Sequence, residues 1–220
     1  MTAPRPAASA EIDGHQFANH VRVGDRELIL YSAAVRKATF LKVDVYSIGL
    51  YVPPGSIDQA LPGPRAIGAT LHAPSTPELE VHGQDVHDRH RLASKSLDDS
   101  EQTKAFVLTL LRDVERKKLA RCLLDDFRHA CGNCPEPVLA NAERLAERLP
   151  NLSEGDRITY VIDGGTVDVL INDESIGRLD GEPATQAVLD AFLGESAPSD
   201  VRNALRTSRW SLVAARGNRD

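Results

Sequence analysis

A chain of 220 residues, 41% apolar and 26% charged, is long enough to close a hydrophobic core and is composed like an ordinary globular protein. Its formal net charge of −6, with no basic tract to offset it, excludes a general binder of nucleic acid or of anionic membranes. No apolar stretch approaches the roughly 20 residues of a membrane span, and "MTAPRPAASAEIDG" has no hydrophobic centre of a secretory signal, so the sequence as it stands reads as cytoplasmic.

Residues 1–14, rich in Ala, Pro, Ser and Thr, read as a disordered tail, and residues 213–220 as a flexible one; a single domain is expected over 15–212. "FANHVRVGDRELILYSAAVRK" predicts strand, Gly24-Asp25 turn, strand. From Leu41 to Val45 apolar and polar residues alternate, and the following "SIGLYV" is apolar on both parities, so that strand is expected to be covered on both faces until Pro53, Pro54 and Gly55 end it. Residues 72–104, with a histidine-rich stretch and the polar run "SKSLDDSEQTK", read as an insertion with little regular structure.

"AFVLTLLRDV" reads as a buried strand. Helical spacing follows in Leu119, Cys122, Leu123, Phe127 and Ala130, and again from Val138 to Leu149 before Pro150. "DRITYVIDGGTVDVLINDESIGRLDG" returns to alternation, with turns at Gly164-Gly165 and Asn172-Asp173, and predicts a three-strand meander. A helix through Ala184 to Phe192 stops at Gly194, and Ser196 or Ser199 is placed to cap a last one containing Val201, Ala204 and Leu205. Runs of strands and runs of helices segregated in this way indicate an α+β arrangement with an antiparallel sheet.

The chain carries no phosphate-cradling glycine loop, no G-x-S-x-G elbow and no H-E-x-x-H pair. Cys122, Cys131 and Cys134 are an odd number without a disulfide framework's spacing, which agrees with a reducing compartment. His129, Cys131 and Cys134 in "HACGNC" offer three ligands to zinc where a structural site takes four; a redox pairing of the two thiols is a second reading, and a plain interhelical turn the simplest. His82, His87 and His90, with Asp85 and Asp88, read as a solvated loop, because a metal site needs fixed ligand geometry.

Arg36, ahead of the doubly apolar strand, is the residue with the most to explain. A strand-end arginine is ordinarily solvent-exposed. The functional alternative is a guanidinium fork at the rim of an apolar pocket, holding a carboxylate or a delocalised oxyanion by two hydrogen bonds. A structural alternative is an ion pair with Asp44 or another carboxylate, the cleft being filled by Phe40 or Leu41.

The segments "VRKATFLKV", "VYSIGLYV", "LLRDVERKKL", "LSEGDRITYVIDGGTVDVLINDESIGRL" and "AVLDAFLGESAPSDVRNALR" resemble, in order, those of chalcone isomerase-like proteins, particularly their bacterial branch, over about residues 20–206 apart from the insertion. The resemblance implies an open-faced β-sandwich: a large antiparallel sheet covered by a layer of helices, with a ligand cleft between them and no cofactor. In the plant enzymes an arginine holds the substrate phenolate, a threonine and a tyrosine stabilise the enolate, and an asparagine and a second threonine touch the substrate. Arg36 matches the arginine, whereas Tyr46, Leu119, Asp126 and Ala191 stand where those other residues belong.

Leucine has no hydroxyl to donate, and Asp126 repels an anion, so chalcone cyclisation is not expected. The non-catalytic plant relatives that bind fatty acids keep the arginine and set a tyrosine beside it. Arg36 with Tyr46 resembles that pair and implies a ligand that is a small apolar carboxylate or phenol. On one straight strand the two residues would stand about 33 Å apart, so the pairing requires the chain to bend near Lys37 to Thr39. An isomerase acting on another substrate, with Arg36 as oxyanion stabiliser, is the second reading, and a metal or thiol interaction module the third.

Overall fold

The computed structural model describes residues 9–38, 43–54, 56 and 96–207. A seven-stranded antiparallel sheet in the order β3-β4-β5-β6-β7-β8-β9 runs as one meander, built from His20–Val23, Arg26–Ala38, Val43–Val52, Lys104–Leu110, Arg157–Asp163, Thr166–Ile171 and Glu174–Asp180. Helices α1 (Arg116–Cys131) and α2 (Glu136–Glu147) are inserted between β6 and β7, and α3 (Glu182–Leu193) and α4 (Ser199–Arg206) follow β9. The expected antiparallel sheet with its layer of helices is what the chain forms.

The meander from β7 to β9 closes on turns whose central residues all take positive φ, Gly164 (54°) and Gly165 (74°) in the first, Asn172 (49°) and Asp173 (73°) in the second. Two positive φ values in a two-residue hairpin loop match the twist of the flanking strands. Along these strands alternate residues, Ile158, Tyr160 and Ile162, then Val167, Val169 and Ile171, enter the main core beneath the helices.

The doubly apolar β5 is buried on both sides for separate reasons. Ile48, Leu50 and Val52 face the helix-side core, while Tyr51 joins a second cluster with Leu28, Leu30, Ala33, Ala105 and Val161. Gly49 makes room for that ring, since a Cβ there would lie 2.7 Å from Cε2 of Tyr51.

The cover of this second cluster is a hairpin that the sequence reading missed. Residues Ser9–Ile12 (β1) and His15–Ala18 (β2) pair as a two-stranded sheet, where a tail through residue 14 was expected. Phe17 is buried in the cluster with Ala10 and Ile12 packed on it, and the Tyr51 hydroxyl donates to the Ala18 carbonyl at 3.0 Å. With two apolar residues per four-residue strand the periodic signal is too short to read, and the burial of Phe17 supplies the hold.

Residues 57–95, with the candidate histidines His82, His87 and His90, lie outside the described residues. The end of the expected insertion is not loose: Leu97 is 4% exposed and Lys104 1%. Lys104 donates to the carbonyls of Ser96 (3.2 Å), Leu97 (2.9 Å) and Asp99. Burial pulls its pKa down to about 8, with Asp99 and Asp98 acting in the other direction. Among the described residues no helix is long and apolar enough to cross a membrane.

Candidate functional site

Arg36 and Tyr46 are direct partners in the register of the β4–β5 pair. The chain reverses between Ala38 and Val43; the intervening residues, with Thr39, Phe40 and Leu41, lie outside the described ones. Opposed residues of an antiparallel pair stand about 5 Å apart at Cβ rather than the tens of ångströms of a straight strand.

Beside this pair the register slips, Arg36 facing Tyr46 and Lys37 facing Asp44, which leaves Val45 as an extra residue. Such a bulge re-aims the side chains on either side of it. Val45 and Tyr46 both line the cleft between sheet and helices, while Asp44 sits against His15 of the hairpin on the opposite face, at 3.3 Å. Of the carboxylates that could pair with Arg36, Asp44 is therefore not the one. Arg36 instead meets Asp200, in the first turn of α4, at 3.4 Å.

The cleft has a volume of about 910 Å³, within the range of small-molecule sites. Its floor is the helix-side face of β5, β6 and β7, with Tyr46, Leu108, Leu110, Ile158 and Tyr160; its roof is α1 and α3, with Leu119, Leu123, Phe127, Val188 and Phe192. Arg36, Tyr46, Leu119, Asp126 and Ala191, taken from the family resemblance by position alone, all line it. His129 lines it as well.

Tyr160 is the group that sequence reading overlooked. It shares a parity with Ile158 and Ile162 in "RITYVID", and a phenol on an otherwise apolar strand face was the available signal. Its ring packs against Phe192, centroids 5.5 Å apart, and the residue is 8% exposed. Neither the Tyr46 nor the Tyr160 hydroxyl bonds to a described residue, yet no buried side-chain polar atom among them is without a partner. Both hydroxyls therefore open onto the cleft.

Burial pushes Tyr46 up to about 12; Arg36 acts against this, and Asp126 and Asp200 add to it. Tyr160 is raised further by burial, then by Tyr46 and Asp126. Both phenols are accordingly neutral donors at ordinary pH. Asp126 is raised by desolvation and by Asp125, with His129 and Arg36 pulling the other way. Around Tyr46 the cleft thus holds a guanidinium, a second phenol and a carboxyl group, each within electrostatic reach of the Tyr46 hydroxyl, and the rest of its lining mixes apolar side chains with Arg112, Asp113, Glu115, Lys118, His129 and Ser196.

Cys131 and Cys134 are joined by a disulfide across the connection from α1 to α2, where a plain turn was the simplest expectation. Gly132, at φ 59°, makes the reversal after α1. A bonded pair has no thiolate to give a metal, and the described residues contain no cluster of His, Cys, Asp and Glu suited to one. The cysteine count accordingly no longer argues for a reducing compartment.

Residues 9–63 match the family model described as chalcone isomerase-like. No curated protein matches the sequence. Among solved structures, the crystal structure of a fatty-acid binding protein of Arabidopsis thaliana is similar at a TM-score of 0.63, with 16% identity, over 90% of this chain and 96% of that one. The chain has the chalcone isomerase-like fold that its segment order resembled.

Proposed function

We propose that the protein binds a small apolar carboxylate, such as a fatty acid, and does not cyclise chalcones. The observation that carries this reading is the cross-strand pair of Arg36 and Tyr46 in a cleft with an apolar floor of Leu108, Leu110 and Ile158 and an apolar roof of Leu123, Phe127, Val188 and Phe192. A guanidinium fork and a neutral phenol supply parallel donors to a carboxylate, and the apolar walls take the chain. The similarity to a plant fatty-acid binding protein agrees with it.

Against chalcone chemistry stand Leu119, which has no hydroxyl, and Asp126, which opposes an anionic substrate. Loss of one donor to a developing oxyanion costs about two to three orders of magnitude in rate. The test is mass spectrometry of small molecules extracted from the purified protein and from Arg36→Ala. An apolar carboxylate present in the first and absent from the second is expected; empty proteins, together with no thermal stabilisation by added dodecanoate, sink the reading.

A second reading has one observation in its favour. Tyr160 brings a phenol that is not among the positions of the resemblance, so a second hydroxyl, felt by Tyr46, lines the cleft that Arg36 also lines, and donors of this kind are what an oxyanion site for an isomerase would use. Turnover of an enone or phenol substrate that vanishes in Arg36→Ala would establish it.

A further inference from the structure

Tyr160 is nine-tenths buried and lines the cleft, and its hydroxyl bonds to no described residue. A phenol at that depth ordinarily has a partner for its hydroxyl, because burial removes the water that would serve it. The charged lining of the cleft makes no such demand: Arg112, Asp113, Glu115, Lys118, Asp126 and His129 are all exposed to solvent. The Ser196 hydroxyl is already given to Asp190 at 2.6 Å.

The register of the sheet fixes where along the cleft Tyr160 stands. Arg36, Tyr46 and Leu110 form one row across β4, β5 and β6. The next row on the helix-side face is Ile48, Leu108 and Ile158, apolar throughout, and Tyr160 belongs to the row after it, with Leu50 and Phe106. Four residues of strand rise set the row of Tyr160 about 13 Å from that of Tyr46, and β7 lies two strand spacings, about 10 Å, from β5. Tyr160 is thus a separate station rather than a further donor to a head group on Arg36 and Tyr46. Past it the cleft continues to Leu179 on β9 and Leu145 on α2, so the hydroxyl interrupts an apolar run part-way along, its ring held against Phe192.

On the reading that the cleft holds an apolar carboxylate, on which this inference rests, we propose that the ligand is an oxo fatty acid. Its carboxylate lies on Arg36 and Tyr46, its chain passes over Leu108 and Ile158, and a mid-chain ketone accepts a hydrogen bond from the Tyr160 hydroxyl. A plain alkyl chain covers that hydroxyl with methylenes and leaves a buried donor with neither water nor an acceptor, which costs binding. A ketone at the matching carbon restores the bond and brings no proton of its own to place against the apolar walls.

The test is calorimetric titration of hexadecanoate and of its 6-, 8-, 10- and 12-oxo derivatives into the intact protein and into Tyr160→Phe, which keeps the ring against Phe192 and unpairs no other described group. One oxo acid is expected to bind the wild type about threefold to tenfold tighter than hexadecanoate, the worth of a neutral hydrogen bond. Those that set the ketone against the apolar row should bind more weakly than hexadecanoate. In Tyr160→Phe hexadecanoate should bind at least as well as in the wild type, and the favoured oxo acid should fall below it. No oxo acid preferred by the wild type, or a preference that survives Tyr160→Phe, overturns the proposal. Hexadecanoate that binds the wild type and is lost in Arg36→Ala, with no oxo acid preferred, removes this inference and leaves the carboxylate reading standing. If none of the acids binds, both fall together.

Discussion

Arg36 and Tyr46 face one another across two adjacent antiparallel strands, with a bulge at Val45 beside them. The bulge sets the chemistry of the pair: it turns Tyr46 and Val45 into the cleft and sends Asp44 to His15 on the other face. Had the strand kept strict alternation, Asp44 would share the face of Tyr46. A second fixed carboxylate would then stand beside the guanidinium, which is left with the half-exposed Asp200 instead.

Tyr46→Phe should keep the fold and weaken dodecanoate binding about tenfold to a hundredfold, the loss of one hydrogen bond to a charged group. The hydroxyl has no partner among the described residues, so removing it leaves no other group unsatisfied. Because burial holds this phenol near pH 12, it stays a donor through neutral and mildly alkaline pH. The wild-type to Tyr46→Phe affinity ratio should therefore be flat from about pH 7 to 10; a ratio that collapses in that interval would show the phenol ionising.

On the proposed reading, Asp200 competes with the ligand for Arg36. Its carboxylate is half exposed and the contact is long, so the pair adds little to stability. Asp200→Asn should raise the affinity for dodecanoate severalfold with the melting temperature within a degree or two. Unchanged or weaker binding would mean that Asp200 orients the arginine rather than blocking it.

Lys104 has the opposite character, buried and fully partnered. Its three carbonyl acceptors are left without a donor in Lys104→Met, at a cost of about 2–4 kcal/mol. The pH dependence has a definite sign. The folded value of about 8 lies below the ordinary 10.5, so between them the unfolded chain holds a proton that the folded protein has released. Stability contributed by this group rises with pH across that window and is flat on either side. Denaturant titrations of wild type and Lys104→Met should converge less at pH 10 than at pH 7.

What was readable in the chain follows the length of each signal. The meander from Arg157 to Asp180 was legible because alternation and left-handed turn residues coincide. Helices α1 to α4 were legible from their apolar spacing, although Ser196 and Ser199 do not cap the last of them: Pro198 precedes its first turn, and the Ser196 hydroxyl goes to Asp190 at 2.6 Å. Arg36 stood out by its apolar context, whereas its partnership with Tyr46 depends on a strand reversal that periodicity does not encode. Asp200 and Lys104 owe their roles to contacts with distant segments, and nothing local distinguishes them from surface charges.

The Cys131–Cys134 bond was open to either reading from sequence, since the C-x-x-C spacing permits a bond and only the path of the α1–α2 turn brings the sulfurs together. Closing so short a loop removes little unfolded-state entropy, about 2 kcal/mol in the chain-entropy model. The double variant Cys131→Ser, Cys134→Ser should lose that amount in denaturant titration, and adding a thiol reductant to the wild type should produce the same loss. Both cysteines pack on the core and α1 carries much of the roof of the cleft, so the loss should be accompanied by weaker dodecanoate binding. A variant that loses stability but binds as before would confine the disulfide to holding the turn, with the roof fixed by the packing of Phe127 and Leu123 alone.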